Sequence, residues 1–283
     1  MTHFAMLDAD REAQRFYFND TTPRGFWVLN RYDDVLEATQ NNALFSSQQV
    51  NAFDPNLPEG YFVPNQMDQP EHTLYRKMLN PFFSPAAVQR LLPLAQERAT
   101  ALVEELRVQG GCEYNVSYAA RYPTELFMAL LGLPVEDGMT FLPWNEAIFN
   151  GFFDTSPAAA AARDDALVNI LAYFKEMVDD RTKRPRDPNT DLVTRIVTAE
   201  IEGEKIPYET QLNLCFTINL AGLDTTKSGL AYIMFYLANN PDVRARLVAN
   251  PDLWPKAIEE LIRLHCLIIE GGRIVTADTD FHG

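Results

Sequence analysis

Between Leu212 and Leu237 the chain carries its most apolar stretch, and that stretch constrains what the remainder can build. Helical sequence extends around it from about Tyr208 to Asn239, and Pro241 ends it because proline lacks the N–H that would continue the ladder. The longest charge-free part, Thr210 to Leu223, covers 14 residues. At 1.5 Å per residue this is about 21 Å, short of the roughly 30 Å hydrocarbon core of a bilayer. A buried core helix, wrapped by other helices, is the structure it predicts.

The flanking sequence supplies those helices. Asp33 and Asp34 open one that runs to about Gln40, Pro70 sits at the start of another that Pro81 stops after Leu79, and Pro85 begins a long amphipathic one to about Val108. Tyr122 to Leu131 follows, closed by Gly132 and Pro134, then Ala158 to Arg181 and Thr190 to Glu200. Pro255 starts a last helix, with Ala257, Ile258, Leu261 and Leu264 as its apolar stripe. Strand signals are few. Phe16 to Phe18 and Phe26 to Leu29, parted by Asn19, Asp20, Pro23 and Gly25, read as a hairpin, and Arg273 to Gly283 as a short strand and turn. Asn51 to Pro64 is an aromatic-rich loop with Phe53, Tyr61 and Phe62. No linker interrupts the pattern, so residues 1–283 read as one mainly α domain with a small β part.

Composition bounds the partners. An apolar fraction of 47% with 22% charged residues suits a globular core, and a net charge of -15 opposes phosphate backbones and anionic lipid heads. Nucleic acid and membrane are therefore not expected partners. The dense basic group, Arg181, Lys183, Arg184 and Arg186, lies among prolines and Asp187 and reads as a solvated loop. Cys112, Cys215 and Cys266 are widely spaced, and no basic-then-apolar leader opens the chain, which together predict a reduced, cytoplasmic setting.

Within the long helix stands Ala221-Gly222-Leu223-Asp224-Thr225-Thr226, polar and small residues where core is expected. Ala221, Gly222, Thr225, Ser228 and Gly229 recur at spacings of three and four, giving a small-residue face against which a flat ligand could lie. Thr225 can donate to the Ala221 carbonyl one turn back and open a notch there, and an acid beside an alcohol can relay protons. The competing reading is close helix packing with Asp224 held in a salt bridge.

This segment resembles the oxygen-binding stretch of the cytochrome P-450 family, and other motifs take their places around it. Glu260-Leu261-Ile262-Arg263, beginning 36 residues after Asp224, resembles the family's Glu-x-x-Arg, which implies a structural ion pair between Glu260 and Arg263 that is buried in the complete protein. His72, Arg76 and Arg273 resemble its haem-propionate set; guanidinium forks suit two carboxylates. Arg273-Ile274-Val275-Thr276 and Phe281-His282-Gly283 resemble the bacterial camphor-hydroxylase branch, in which Phe62, Thr217, Leu220 and Ile269 would face the substrate. Gly60, beside Tyr61, stands where that branch has the tyrosine that anchors the camphor ketone, so the resemblance does not extend to camphor itself.

The resemblance implies a cytochrome P-450 fold, incomplete at its C-terminus and short at its N-terminus. It implies a haem b cofactor contacted by His72, Arg76, Ala221, Gly222, Thr225 and Arg273, with Asp224 and Thr225 as catalytic residues. The family's iron ligand is a cysteine in a Phe-x-x-Gly-x-x-x-Cys-x-Gly loop, which this sequence lacks; it is expected downstream of Gly283, so no metal ligand is assigned here. The implied activity is hydroxylation of a small hydrophobic, terpenoid-like substrate with O2 and electrons from NAD(P)H through a flavin reductase and an iron-sulfur ferredoxin. A rival from another class is a non-catalytic helical remnant, or a carrier of haem or apolar ligands without the thiolate.

Overall fold

The computed structural model describes residues 3–22, 24–48, 62–154, 156–268 and 270–282. Along the chain run α1 (His3–Ala13), β1 (Phe16–Asn19), β2 (Phe26–Leu29), α2 (Tyr32–Gln40), β3 (Phe45–Ser46), α3 (Glu71–Leu79) and α4 (Pro85–Gln109). Next come α5 (Arg121–Leu131), α6 (Gly138–Phe153), α7 (Pro157–Lys183), α8 (Leu192–Thr198), β4 (Glu200–Ile201) and β5 (Glu204–Lys205). Helices α9 (Tyr208–Asn239), α10 (Pro241–Ala249) and α11 (Trp254–Leu264) precede β6 (Ile274–Val275). The mainly helical architecture with a small β part is as the sequence predicts. The described residues divide into two compact units, residues 1–74 with 270–283, and residues 75–269, and one boundary falls inside α3 where no linker marks it.

The first unit holds the predicted hairpin, β1 against β2 with Phe16 opposite Leu29, and Trp27 edge-on to Phe16 and Phe18. Its buried anchor is Asp34, which receives Arg15 Nε at 2.9 Å and Nη2 at 2.5 Å. The tail folds back onto this unit: β6 pairs antiparallel with β3, Thr276 Oγ1 donates to the Ala43 carbonyl, and Phe281 packs edge-on against Phe45.

The second unit is a helical body. Ser84 caps α4 by accepting from the Ala87 N–H, and Gly110 and Gly132, both in the left-handed region, close α4 and α5. Such positions favour glycine because a Cβ there meets the following carbonyl. Helix α6, which the sequence reading left out, contains Pro143 and two glycines that weaken its helical signal. Packing decides its structure: Phe141 and Ile148 are fully buried, and a Cβ at Gly151 would lie 2.6 Å from the Arg163 side chain of α7. Helices α1 and α10 and the β4–β5 hairpin were also not predicted, nor was the π-helical turn Asn115–Ala119 before α5. The helix expected over Thr190 to Glu200 is shorter, because the Asp191 carboxylate accepts from the Thr194 N–H and fixes its start.

The basic group also differs from expectation. Arg181 lies in α7 and is 2% exposed, with Nε on Asp191, Nη1 on Asp180 and Nη2 on the Gly132 carbonyl. It is a core ion-pair centre, because a guanidinium can be buried when each donor finds an acceptor. Lys183, Arg184 and Arg186 remain exposed, as read. No helix among the described residues is long and apolar enough to cross a membrane.

Candidate functional site

Helix α9 stays α-helical along its 32 residues and packs against α5, α6, α7, α8, α10 and α11. Its buried residues include Leu212, Leu214, Cys215, Phe216 and Leu223, so the core-helix reading holds. At about 100° per residue, Thr217, Leu220, Ala221, Asp224, Thr225 and Ser228 share one face. Thr217 and Leu220 are 5% exposed, whereas Ala221 one turn on is open.

Thr225 Oγ1 donates to the Ala221 carbonyl over 2.8 Å, the bond expected from the sequence. The helix does not break there; the hydroxyl is held back against its own turn and its oxygen remains able to accept. Two of the small residues point elsewhere. A Cβ at Gly222 would lie 2.5 Å from the Phe127 ring of α5, so this glycine serves close packing, whereas one at Gly229 would sit in ordinary contact with Leu267.

Asp224 is partly buried, and burial pushes its carboxyl above the usual range, with Lys227 pulling it down and Glu146 adding to the rise. It accepts no hydrogen bond and forms no close ion pair among the described residues. The lysine one turn on, the salt-bridge partner that the competing reading needs, is bonded instead to Glu146 of α6, Nζ to Oε1 at 2.5 Å. Beside that pair, Asn219 Nδ2 donates to Asn145 Oδ1 at 2.8 Å, both side chains buried. Sequence reading missed Glu146 and Asn145 because it missed α6. Lys227 was legible as an i, i+3 neighbour of Asp224.

The remaining expected residues fall as follows. His72 and Arg76 stand one turn apart on α3, partly buried and exposed respectively, and Arg273 is partly buried just before β6 with Nη1 on the Gly272 carbonyl. Phe62 is partly buried, its N–H donating to Gln66 Oε1, while Ile269, Gly60 and Tyr61 lie outside the described residues. Glu260 and Arg263 form a two-pronged pair, 2.7 Å at each prong, with side chains 61% and 69% exposed. Arg263 holds the Glu260 carboxyl below its usual range.

The thiols are not gathered with other donors. Cys112 and Cys266 are exposed, and burial pushes the Cys215 thiol up to about 12. Among the described residues no three His, Cys, Asp or Glu side chains come close enough to hold a metal ion.

Comparison with known proteins finds relatives of this chain. The family model described as Cytochrome P450 matches residues 127–283. Cytochrome P450 109 of Bacillus spizizenii is 28% identical over 92% of this chain and 62% of its own length. Steroid C26-monooxygenase of Mycolicibacterium smegmatis is 31% identical, over 92% of this chain and 63% of its own. The crystal structure of CYP108D1 from Novosphingobium aromaticivorans superposes with a TM-score of 0.83 at 25% identity, covering 99% of this chain and 70% of that one. The chain thus spans somewhat less than two thirds of the curated relatives named here. With the match running from Phe127 in α5 through the Asp224–Thr225 turn of α9 to the tail, the chain belongs to the cytochrome P450 family.

Proposed function

We propose that this chain carries the oxygen-side and carboxylate-binding parts of a haem-dependent monooxygenase that hydroxylates a small hydrophobic substrate. The observation that carries the reading is the Asp224–Thr225 turn: a partly buried carboxyl without a close counter-ion beside a hydroxyl held on the Ala221 carbonyl.

The donor chemistry fits haem in part. His72 and Arg76 on α3, with Arg273, offer the cationic and N–H groups that suit two carboxylates, and open Ala221 leaves one side of α9 free of a large side chain. None of the three thiols suits the iron. Cys215 is sealed in the core with its proton held, and Cys112 and Cys266 stand at the surface. The thiolate in this reading comes from a cysteine loop beyond these 283 residues. When bound, a thiolate-ligated haem supplies dioxygen activation, with the thiolate pushing electron density toward the iron.

The chain's own residues do the rest. Asp224 takes up and passes a proton, a role that burial favours by raising the proton affinity of its carboxyl. Thr225 holds a proton at Oγ1 and accepts through the same oxygen. Thr217 and Leu220, buried neighbours on α9, offer an apolar surface with one hydroxyl to the substrate, and the family resemblance would add Phe62 and Ile269 to that lining. A terpenoid-like or comparable hydrocarbon-rich molecule fits that chemistry, in keeping with the steroid named for the Mycolicibacterium relative. Electrons would come from NAD(P)H through a flavin reductase and an iron-sulfur ferredoxin, in the cytoplasm.

The test uses a longer form that includes the cysteine loop, supplied with ferredoxin and reductase. Thr225→Val keeps the shape and removes the hydroxyl; it should still consume NAD(P)H and oxygen while releasing mostly hydrogen peroxide. Asp224→Asn should slow turnover. Product and peroxide per NAD(P)H are measured for both, and unchanged coupling in Thr225→Val with normal substrate binding leaves this turn as packing alone.

A further inference from the structure

The charge arrangement beside Asp224 is asymmetric. Lys227 and Asp224 are i, i+3 neighbours on α9, within reach of a direct ion pair. The ammonium is nonetheless 2.5 Å from Glu146 across the α6–α9 seam. That seam is fixed next door by Asn145 and Asn219, whose amides hydrogen-bond at 2.8 Å with 3% and 0% exposure. Since Asn145 and Glu146 are consecutive, the buried amide bond fixes the backbone that carries Glu146.

We propose that Glu146 is a positioning residue for Asp224: from α6 it holds the Lys227 ammonium away from the Asp224 carboxyl. The proposal rests on Asp224 being the proton carrier of the site. One ammonium faces two carboxylates, and its location decides which is neutralised. A counter-charge at contact distance typically changes a carboxyl's proton affinity by about tenfold or more. With Lys227 on Glu146, Asp224 keeps only a distant counter-charge and its burial favours the protonated form. With Lys227 on Asp224, the carboxylate is stabilised and its proton is given up. The charged groups whose fields reach Asp224 are Lys227 on its own helix and Glu146 on α6, whereas α5 presents the Phe127 ring to this stretch of α9.

The experiment reads the Asp224 carboxyl directly, without haem or turnover. In the 283-residue chain carrying carbon-13-labelled aspartate, the Asp224 signal is assigned from Asp224→Asn and titrated by NMR in the parent, Glu146→Gln, Lys227→Met, the double variant and Lys227→Arg. Glu146→Gln should move the midpoint to lower pH because Lys227 is released to Asp224, and Lys227→Met should move it to higher pH. The Glu146→Gln shift should shrink markedly once Lys227 is gone, and Lys227→Arg should restore the parent midpoint. A Glu146→Gln midpoint equal to the parent's overturns the proposal. So does a shift of the same size with and without Lys227, since Glu146 then acts by its own charge alone. The pair lies toward the surface, with side chains 22% and 56% exposed, so the isosteric variants should keep the fold, as circular dichroism will record. Because the readout is independent of oxygen chemistry, its failure leaves the Thr225→Val coupling result intact, and the reverse also holds.

Discussion

Arg181 Nε lies 2.9 Å from Asp191 Oδ2 with both side chains almost wholly enclosed, 2% and 3% exposed. The pair joins the end of α7 to the start of α8, and the same guanidinium satisfies the Gly132 carbonyl at the close of α5. Arg181→Met leaves the Asp191 carboxylate enclosed with only the more distant Arg186, and removing one partner of such a pair costs about 3–5 kcal/mol. Asp191→Asn keeps an oxygen for the Thr194 N–H and should cost less. Urea unfolding of the three proteins gives the comparison; a loss under about 1 kcal/mol in Arg181→Met would show that solvent reaches the pair.

Gly222 permits α5 and α9 to approach as closely as they do. Gly222→Ala places a methyl 2.5 Å from the Phe127 ring, and overpacking of this kind typically costs about 1–3 kcal/mol. Phe127→Leu in the same chain should recover part of that loss, because it removes the atoms in conflict. Thermal unfolding of single and double variants measures the coupling; strictly additive losses would mean that the methyl is accommodated elsewhere.

Acid should weaken the first unit through Asp34. The Arg15 guanidinium holds its carboxyl below the usual carboxylate range. A depressed folded value means that the stabilisation is complete above the unfolded value, about 3.9, and is lost as pH falls through the lower folded one. Between pH 5 and pH 2 the parent should therefore lose more stability than Asp34→Asn. Parallel slopes for the two in that window would remove the Arg15–Asp34 pair as the cause.

None of the thiols described should bind haem iron as a thiolate. Reduced with haem and carbon monoxide, the 283-residue chain should give no red-shifted Soret band of the thiolate type. Appearance of that band, and its loss in Cys112→Ser, Cys215→Ser or Cys266→Ser, would identify the ligand and remove the need for a cysteine elsewhere. A haem spectrum without thiolate character would favour the carrier reading.

The sequence revealed those parts of the fold that local chemistry determines. The boundaries of α3, α4, α5 and α9 follow prolines, capping residues and glycines, and were readable within a residue or two. Helix α6 was not, since Pro143 and Gly151 argue against a helix and only the packing of Phe141, Ile148 and Arg163 decides for one. At the site, the Thr225–Ala221 bond was legible because it is local, whereas Glu146, 81 residues from Lys227, was not. Arg181 was misread for the same reason: two of its three acceptors lie 10 and 49 residues away. Glu260 and Arg263 form their pair as the spacing suggests, but in solvent, since no described segment covers that face of α11.

The first unit is assembled from residues before Tyr75 and after Ile269, with β6 closing on β3 and Phe281 on Phe45. During synthesis, residues 75–269 can collapse as they leave the ribosome, while β3 waits about 230 residues for its partner strand. Loop closure of that length adds little to the equilibrium cost but delays the contact. Through that interval the edge of β3 and the face of Phe45 stand open to other chains, so conditions that slow translation between β3 and β6 expose this chain to aggregation through that edge.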